Sequence, residues 1–256
     1  MTIKDIKNLI VEDNKYKFDS FKMKNTLAPG VWEENKTLNP EIRKKLLKIA
    51  ISFYESLKIP NVKIKDIIIT GSLANYNWSK YSDIDLHILI DFNEVDENYD
   101  LVKQLMDAKR ALWNNNHEIK IKDFEVEIYM QDINEPHKAT GQYSVLKDQW
   151  KVEPNKQSFS IDFKLVRQKA DEFMKIIDYV EEVEDERDYN KALKIIDCIK
   201  KKIKHLRKSG LERGGEFSYE NIAFKVLRRN GYLEKLFNLQ RRAYDEMMSE
   251  NMRGFI

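Results

Sequence analysis

The spacing of apolar residues divides the chain into stretches of different period. Residues 1–38 are polar and irregular, with a turn signal at Pro29-Gly30. They read as a mostly extended arm, anchored on the body by Leu27, Val31 and Trp32. Asn39-Pro40-Glu41 then announces a helix. Asn is a good N-cap, Pro suits the first helical position, and Glu complements the helix dipole. Ile42, Leu46, Ile49, Ala50, Phe53 and Leu57 follow at helical spacing, and Pro60 should stop the helix. Ile67-Ile68-Ile69 is a β-branched run ending in Thr70-Gly71-Ser72, a buried strand running into a turn and a further helix start. From Asp83 to Ile90 the pattern alternates. Ile84, Leu86, Ile88 and Ile90 share one face, and Asp83, Asp85 and His87 share the other. A helix is expected over about 98–114 with Leu101, Leu105, Ala108 and Leu112 as its buried stripe. Phe124 to Tyr129 alternates again and reads as a strand.

Beyond about residue 160 the period is helical throughout. Phe163, Val166, Ala170, Phe173, Ile177 and Val180 mark one helix, and Leu193, Ile196, Ile199, Ile203 and Leu206 a second. Ser218 can cap a third that ends near Gly231, and Tyr232 to Met248 forms a fourth. The chain therefore reads as an α+β protein, a mixed sheet with flanking helices followed by a C-terminal helical domain. The expected divisions are an arm at 1–38, an α+β domain at 39–155 and a helical domain at 156–256, with a site in the cleft between the two domains.

Composition narrows the function classes. Charged residues make up 34% of the 256, but 45 Lys+Arg against 43 Asp+Glu leave a formal charge of only +2, which excludes a globally basic nucleic-acid coat. No apolar run reaches the ~20 residues of a membrane span, and the N-terminus lacks the apolar core of a signal peptide. Cys198 is the one cysteine, so neither an internal disulfide nor a cysteine-rich zinc site is available. These features point to a reducing compartment, the cytoplasm.

Three segments carry the candidate chemistry. Gly71-Ser72 lies at the turn after a buried strand. Glycine lets a backbone approach phosphate closely, helix-start N–H groups attract anions, and the serine hydroxyl can donate to a phosphate oxygen. Asp83 and Asp85 lie two apart on one strand, so their carboxylates point the same way, about 6.5–7 Å apart along the backbone. Two ionised acids on one face repel, and a divalent cation relieves that cost; an oxygen-only set suits Mg²⁺ or Mn²⁺ rather than zinc. Glu127, on the later alternating strand, supplies a third carboxylate. Glu125 shares its strand face, and the choice between them stays open, with Glu127 favoured because Val126 and Ile128 fix its rotation. Such a cluster suits in-line phosphoryl transfer by a two-metal site.

Gly71-Ser72 followed ten positions on by Ser82-Asp83-Ile84-Asp85-Leu86 resembles the signature of the DNA polymerase beta-like nucleotidyltransferase superfamily, over roughly residues 64–132. The texture around Asn75-Tyr76-Asn77-Trp78 and Asn134-Glu135-Pro136-His137 is similar to nucleotidyltransferases of tailed phages. The resemblance implies transfer of a nucleoside monophosphate from a nucleoside triphosphate to an acceptor hydroxyl with release of pyrophosphate. It implies two Mg²⁺ or Mn²⁺ ions on Asp83, Asp85 and Glu127, with the triphosphate on Gly71 and Ser72. Many small relatives carry Arg where this chain has Asn75, so a basic contact must come from elsewhere, with Lys80, Lys109 and Arg110 as candidates. The acceptor could be RNA, another nucleotide, a protein side chain or a small-molecule hydroxyl. The alternative is an inactive nucleotidyltransferase scaffold that binds nucleotide or a partner.

Other residues invite structural readings. His87 lies on the aspartate face, beside the candidate metal site or packed behind it, and His137 sits in a loop that could approach the nucleotide. No two histidines have zinc-ligand spacing. Cys198 is expected to be a buried structural thiol. Tyr76, Trp78 and Tyr81 are expected to pack, although one could stack on a base. Residues 178–188 are acidic and 200–208 basic. They are expected to face each other across a helical hairpin; the other reading is a basic stripe that holds nucleic acid.

Overall fold

The computed structural model describes residues 16, 18–59, 62–136, 139–156 and 160–253. The chain divides into two compact units, Ser20–Gln157 and Met1–Asp19 with Ser158–Ile256. Pro60, His137 and residues 1–15 of the arm lie outside the described residues.

The first unit is an α+β body. Helix α1 (Pro40–Leu57) begins as its sequence dictates: the Asn39 Oδ1 accepts from the backbone N–H groups of Glu41 and Ile42, at 3.1 and 3.2 Å. Ile42, Leu46, Ala50, Phe53 and Leu57 are its buried stripe, and Lys58 ends it in the left-handed region at φ 55°. Strand β1 (Asp66–Thr70) is buried along its whole length. Strand β2 (Ile84–Ile90) and strand β4 (Phe124–Asp132) flank it on one side, and two short strands, β5 (Gln142–Ser144) and β6 (Gln149–Val152), on the other. Helix α2 (Tyr99–Asn116) connects β2 to the β3–β4 hairpin, whose short arm is β3 (Lys120–Ile121). The six-stranded order is β3-β4-β2-β1-β5-β6. The β2–β4 pair is parallel, which requires a long crossover, and α2 supplies it. The other pairs are antiparallel.

One sheet face holds the core. Ile67, Ile69, Ile84, Leu86, Ile88 and Ile128 join α1 and α2 there. The opposite face carries the polar members of the alternation, including Asp85, His87, Glu127 and Tyr129. Leu27, Val31 and Trp32 are buried in the same core. Trp32 donates from Nε1 to the carbonyl of Leu73 at 2.7 Å and stacks on Trp150 at 4.7 Å. At the outer rim of β4, beyond its short pairing with β3, the Asn114 amide accepts from the N–H of Ile128 and donates to its carbonyl, both at 3.1 Å.

The buried stripe of α2 differs from the expected one. Val102 and Met106 are buried and Trp113 packs on the core, whereas Leu101, Leu105, Ala108 and Leu112 are exposed. The helix is rotated by one residue, and the aromatic bulk of Trp113 against Phe53 at 5.3 Å decides which side faces in.

The second unit is helical: α3 (Phe163–Asp185), α4 (Tyr189–Gly214), α5 (Tyr219–Arg229) and α6 (Tyr232–Arg253). Side chains of Asp162, Asp188 and Ser218 cap the first three. Val166, Ala170, Ile177 and Val180 of α3 and Ile196 and Ile199 of α4 are buried in its interior. Tyr16 belongs here too, its hydroxyl donating to the Asp171 carboxylate at 2.6–2.7 Å. The acids of α3 meet the bases of α6 rather than those of α4. Lys235 bridges Asp178 and Glu181, each at 2.7 Å, and Arg242 holds the buried Glu184 with two hydrogen bonds. Cys198 is exposed, not buried, because Ala192, Ile196, Ile199 and Ile203 set the inward stripe and position 198 falls outside it. Among the described residues no helix is long and apolar enough to cross a membrane.

Candidate active site

The β1 to β2 connection brings the two halves of the motif together. Gly71 follows β1 at φ 75° and ψ −158°, a conformation open essentially to glycine alone. A Cβ built on it would fall 1.9 Å from the Asp85 Oδ2, so the carboxylate is seated directly against the glycine α-carbon. Thr70 is the antiparallel partner of Asp85, which makes this approach a consequence of strand register. The Ser72 hydroxyl donates to the Ser82 Oγ at 2.7 Å, and Ser82 also accepts from the backbone N–H of Ser79. The loop is thereby closed on itself, with Ser82 immediately before Asp83. The expected helix start is a single 3₁₀ turn, Ser72–Ala74, ended by the extended backbone of Asn75. So short a turn has little dipole, and phosphate attraction there would rest on individual N–H groups.

Parallel register sets the next rung. Asp85 pairs with Glu127, and His87 with Tyr129. Paired residues of neighbouring strands project to the same face, so the two carboxylates are neighbours on the half-exposed side of the sheet. Glu125 instead pairs with Lys120 on the other strand neighbour. Asp83 lies one residue before β2.

Tyr129 is the residue that sequence reasoning missed. Its hydroxyl donates to the Glu127 carboxylate, and its ring stacks on His87 at 4.7 Å. The Arg110 guanidinium lies 5.2 Å over the same ring, and the His87 Nδ1 contacts the Gln131 Oε1 at 2.9 Å. Burial holds the Tyr129 hydroxyl above the ordinary tyrosine range. The bond to Glu127 and the negative charges of Glu127 and Asp85 add to this, and Arg110 opposes it. The alternation that places Glu127 on the open face places Tyr129 there as well, and that was the available signal.

The basic candidates separate. Lys80 stands over the Tyr81 ring and Lys109 is exposed on α2, whereas Arg110 reaches Tyr129 beside the carboxylates. Asn75 is buried; its amide donates to the Thr140 hydroxyl and its Oδ1 accepts from the N–H of Tyr76. Tyr76 is buried in the core, and Trp78 packs against it with its Nε1 on the Thr26 carbonyl.

The donor set is made of oxygens only, as a hard divalent cation requires, and the Gly71 notch beside Asp85 is left by a missing side chain. Among the described residues no three His, Cys, Asp or Glu side chains are gathered closely enough to hold a metal ion, and the Glu127 carboxylate is engaged by Tyr129.

A family model described as a nucleotidyltransferase domain matches residues 44–213, from within α1 to the end of α4. Comparison with curated proteins and with solved structures returned no significant match.

Proposed function

The chain belongs to the nucleotidyltransferase domain family, and from that premise we propose that it transfers a nucleoside monophosphate from a nucleoside triphosphate to an acceptor hydroxyl, releasing pyrophosphate. The observation that supports this best is the Asp85–Glu127 rung with the Asp85 carboxylate seated against Gly71. Asp83, Asp85 and Glu127, which do not form a metal-holding cluster as they stand, would hold Mg²⁺ or Mn²⁺ once the ion and the triphosphate draw their carboxylates together. Such ions, when bound, neutralise the triphosphate and the charge that develops during in-line displacement. Gly71 and Ser72 would receive phosphate oxygens through backbone N–H and hydroxyl, with Lys80, Lys109 or Arg110 supplying positive charge. The acceptor oxygen forms a bond to the α-phosphorus, the bond from that phosphorus to the bridging oxygen of the leaving pyrophosphate breaks, and the hydroxyl proton passes to Glu127. Tyr129 holds Glu127 in place for that role. The register of Glu125 with Lys120 supports Glu127 as the third acid. The acceptor class is RNA or another nucleotide, the catalytic body is 39–155, and the setting is the reducing cytoplasm.

Incubation with each labelled nucleoside triphosphate, Mn²⁺ and a pool of acceptors should yield labelled product and pyrophosphate, lost in the Asp83→Ala/Asp85→Ala double variant. Absence of product with every triphosphate, or turnover unchanged in the double variant, would defeat the proposal.

One observation favours a second reading, an inactive scaffold that binds nucleotide. The position where relatives carry Arg holds a buried Asn75 bonded to Thr140. Calorimetry with a nonhydrolysable triphosphate, with and without Mg²⁺, separates the two: binding without turnover selects the scaffold.

A further inference from the structure

Within the helical unit, α4, α5 and α6 enclose a groove of about 740 Å³. Its floor is apolar, with Leu211, Phe224, Leu233 and Phe237 among the lining residues. Two of these are unusually open for their type: Leu211 is 42% exposed and Phe237 61%. One wall is the basic stripe of α4. Lys200, Lys204, Arg207 and Lys208 recur at helical spacing and lead to Leu211, a run of about 16 Å at ~1.5 Å per residue. Among the described residues no acidic one lines the groove. Three acids of α3, Asp178, Glu181 and Glu184, are bonded to α6 through Lys235 and Arg242, and within α4 Lys201 pairs with Asp197 and Lys208 with Glu212, exposed pairs that leave the bases of the stripe in excess.

We propose that this groove docks an acidic amphipathic helix of a partner protein, laying leucine-like side chains on the floor and carboxylates against the α4 stripe. A three-turn helix matches the stripe in length, and such helices present apolar anchors at three- and four-residue spacing. Charge complementarity selects an acidic partner. A single-stranded nucleic acid fits less well. It needs several uncovered aromatic faces on which successive bases stack, and here the Phe224 ring is covered by the Arg207 guanidinium at 4.4 Å, which leaves Phe237 as the single open ring among the described lining residues. The rest of the floor is largely aliphatic, with nothing to read a base edge.

Docking here is independent of nucleotidyl transfer, and the test reads binding alone. A fluorescein-labelled Leu/Glu peptide of about three to five helical turns, with leucines on one face, is titrated with the full chain and followed by anisotropy. A Leu/Lys peptide of the same pattern and a labelled single-stranded RNA run in parallel. Saturable binding of the acidic peptide is expected, weakened about tenfold or more by Phe237→Ser and by Lys204→Glu/Arg207→Glu. The exposure of Phe237 makes its replacement compatible with folding, which circular dichroism checks. The proposal is overturned if the acidic peptide fails to bind at about 100 µM, if both peptides bind alike, or if the groove variants bind it as the parent does. RNA that displaces the peptide and loses affinity in the same variants would reassign the groove to nucleic acid. Self-association of the chain in sedimentation, abolished by Phe237→Ser, would reassign it to a second copy.

Discussion

Replacing Gly71 by alanine tests the junction on which the candidate site is built. The added methyl meets the Asp85 Oδ2 at 1.9 Å and its Cγ at 3.0 Å, against an ordinary contact of 3.4–4 Å. The carboxylate must therefore retreat by roughly 1.5 Å or leave its rotamer, at ~0.5–1.5 kcal/mol. Alanine must also adopt a backbone conformation that costs a non-glycine residue about 1–3 kcal/mol. Together the change should destabilise the fold by about 1.5–4.5 kcal/mol. A displacement of ~1 Å at a reacting centre costs on the order of 100-fold in rate, so transfer activity should fall at least that far. Gly30→Ala is the control for backbone cost: its φ is 79°, with nothing within 4 Å of the added carbon. A cycle with Asp85→Ala isolates the clash, because truncating Asp85 removes the atoms that are struck. Urea denaturation followed by circular dichroism reads stability, and turnover of labelled triphosphate reads the site. If Gly71→Ala costs the same in both backgrounds, and turnover survives within a few-fold, the seating of Asp85 on Gly71 is not what organises the site.

Other changes probe the scaffold. Asn39→Ala removes the acceptor of two N–H groups at the start of α1 and should cost about 1 kcal/mol in urea denaturation while leaving nucleotide turnover intact. Arg242→Ala strips the partner from buried Glu184. Because the Arg242 side chain is 53% exposed, water takes over part of its role, and a loss of about 1–2 kcal/mol is expected by the same measurement, well under that of a fully buried pair. The Tyr143 hydroxyl is pushed up to about 12, first by burial and then by its bond to Asp148. The unfolded chain therefore loses that proton first, near the usual value of about 10, and stability is full below it and falls as pH rises toward 12. Denaturation midpoints should decline less steeply over that window in Tyr143→Phe.

Local signals carried much of this fold. Asn39-Pro40 marked the start of α1, Ser218 that of α5, and the alternation from Ile84 to Ile90 marked β2, because each depends on bonds within a few residues. Strands β5 and β6, three and four residues long, are too short to display a period and exist through pairing with β1 and with each other. The α2 stripe was misplaced by one residue because apolar residues occupy both sides of that helix, and tertiary packing of Val102, Met106 and Trp113, the last against Phe53, chooses between them. Asp178, Glu181 and Glu184 found α6 rather than α4, since which helix lies alongside is a tertiary fact. In the site, the placement of Asp85 against Gly71 follows from an antiparallel register, and its pairing with Glu127 from a parallel one. The clasp of Tyr129 on Glu127 depends on a rotamer, which period-two reasoning leaves open.

The amide of Asn114 bears on how this protein survives crowding. Strand β4 is the long lateral strand of the sheet, and past its brief pairing with β3 its outward N–H and carbonyl groups could recruit a strand from a neighbouring molecule. By offering one acceptor and one donor to Ile128, a helical side chain counterfeits the missing strand for a single residue and plugs the gap where an intruder would begin to zip.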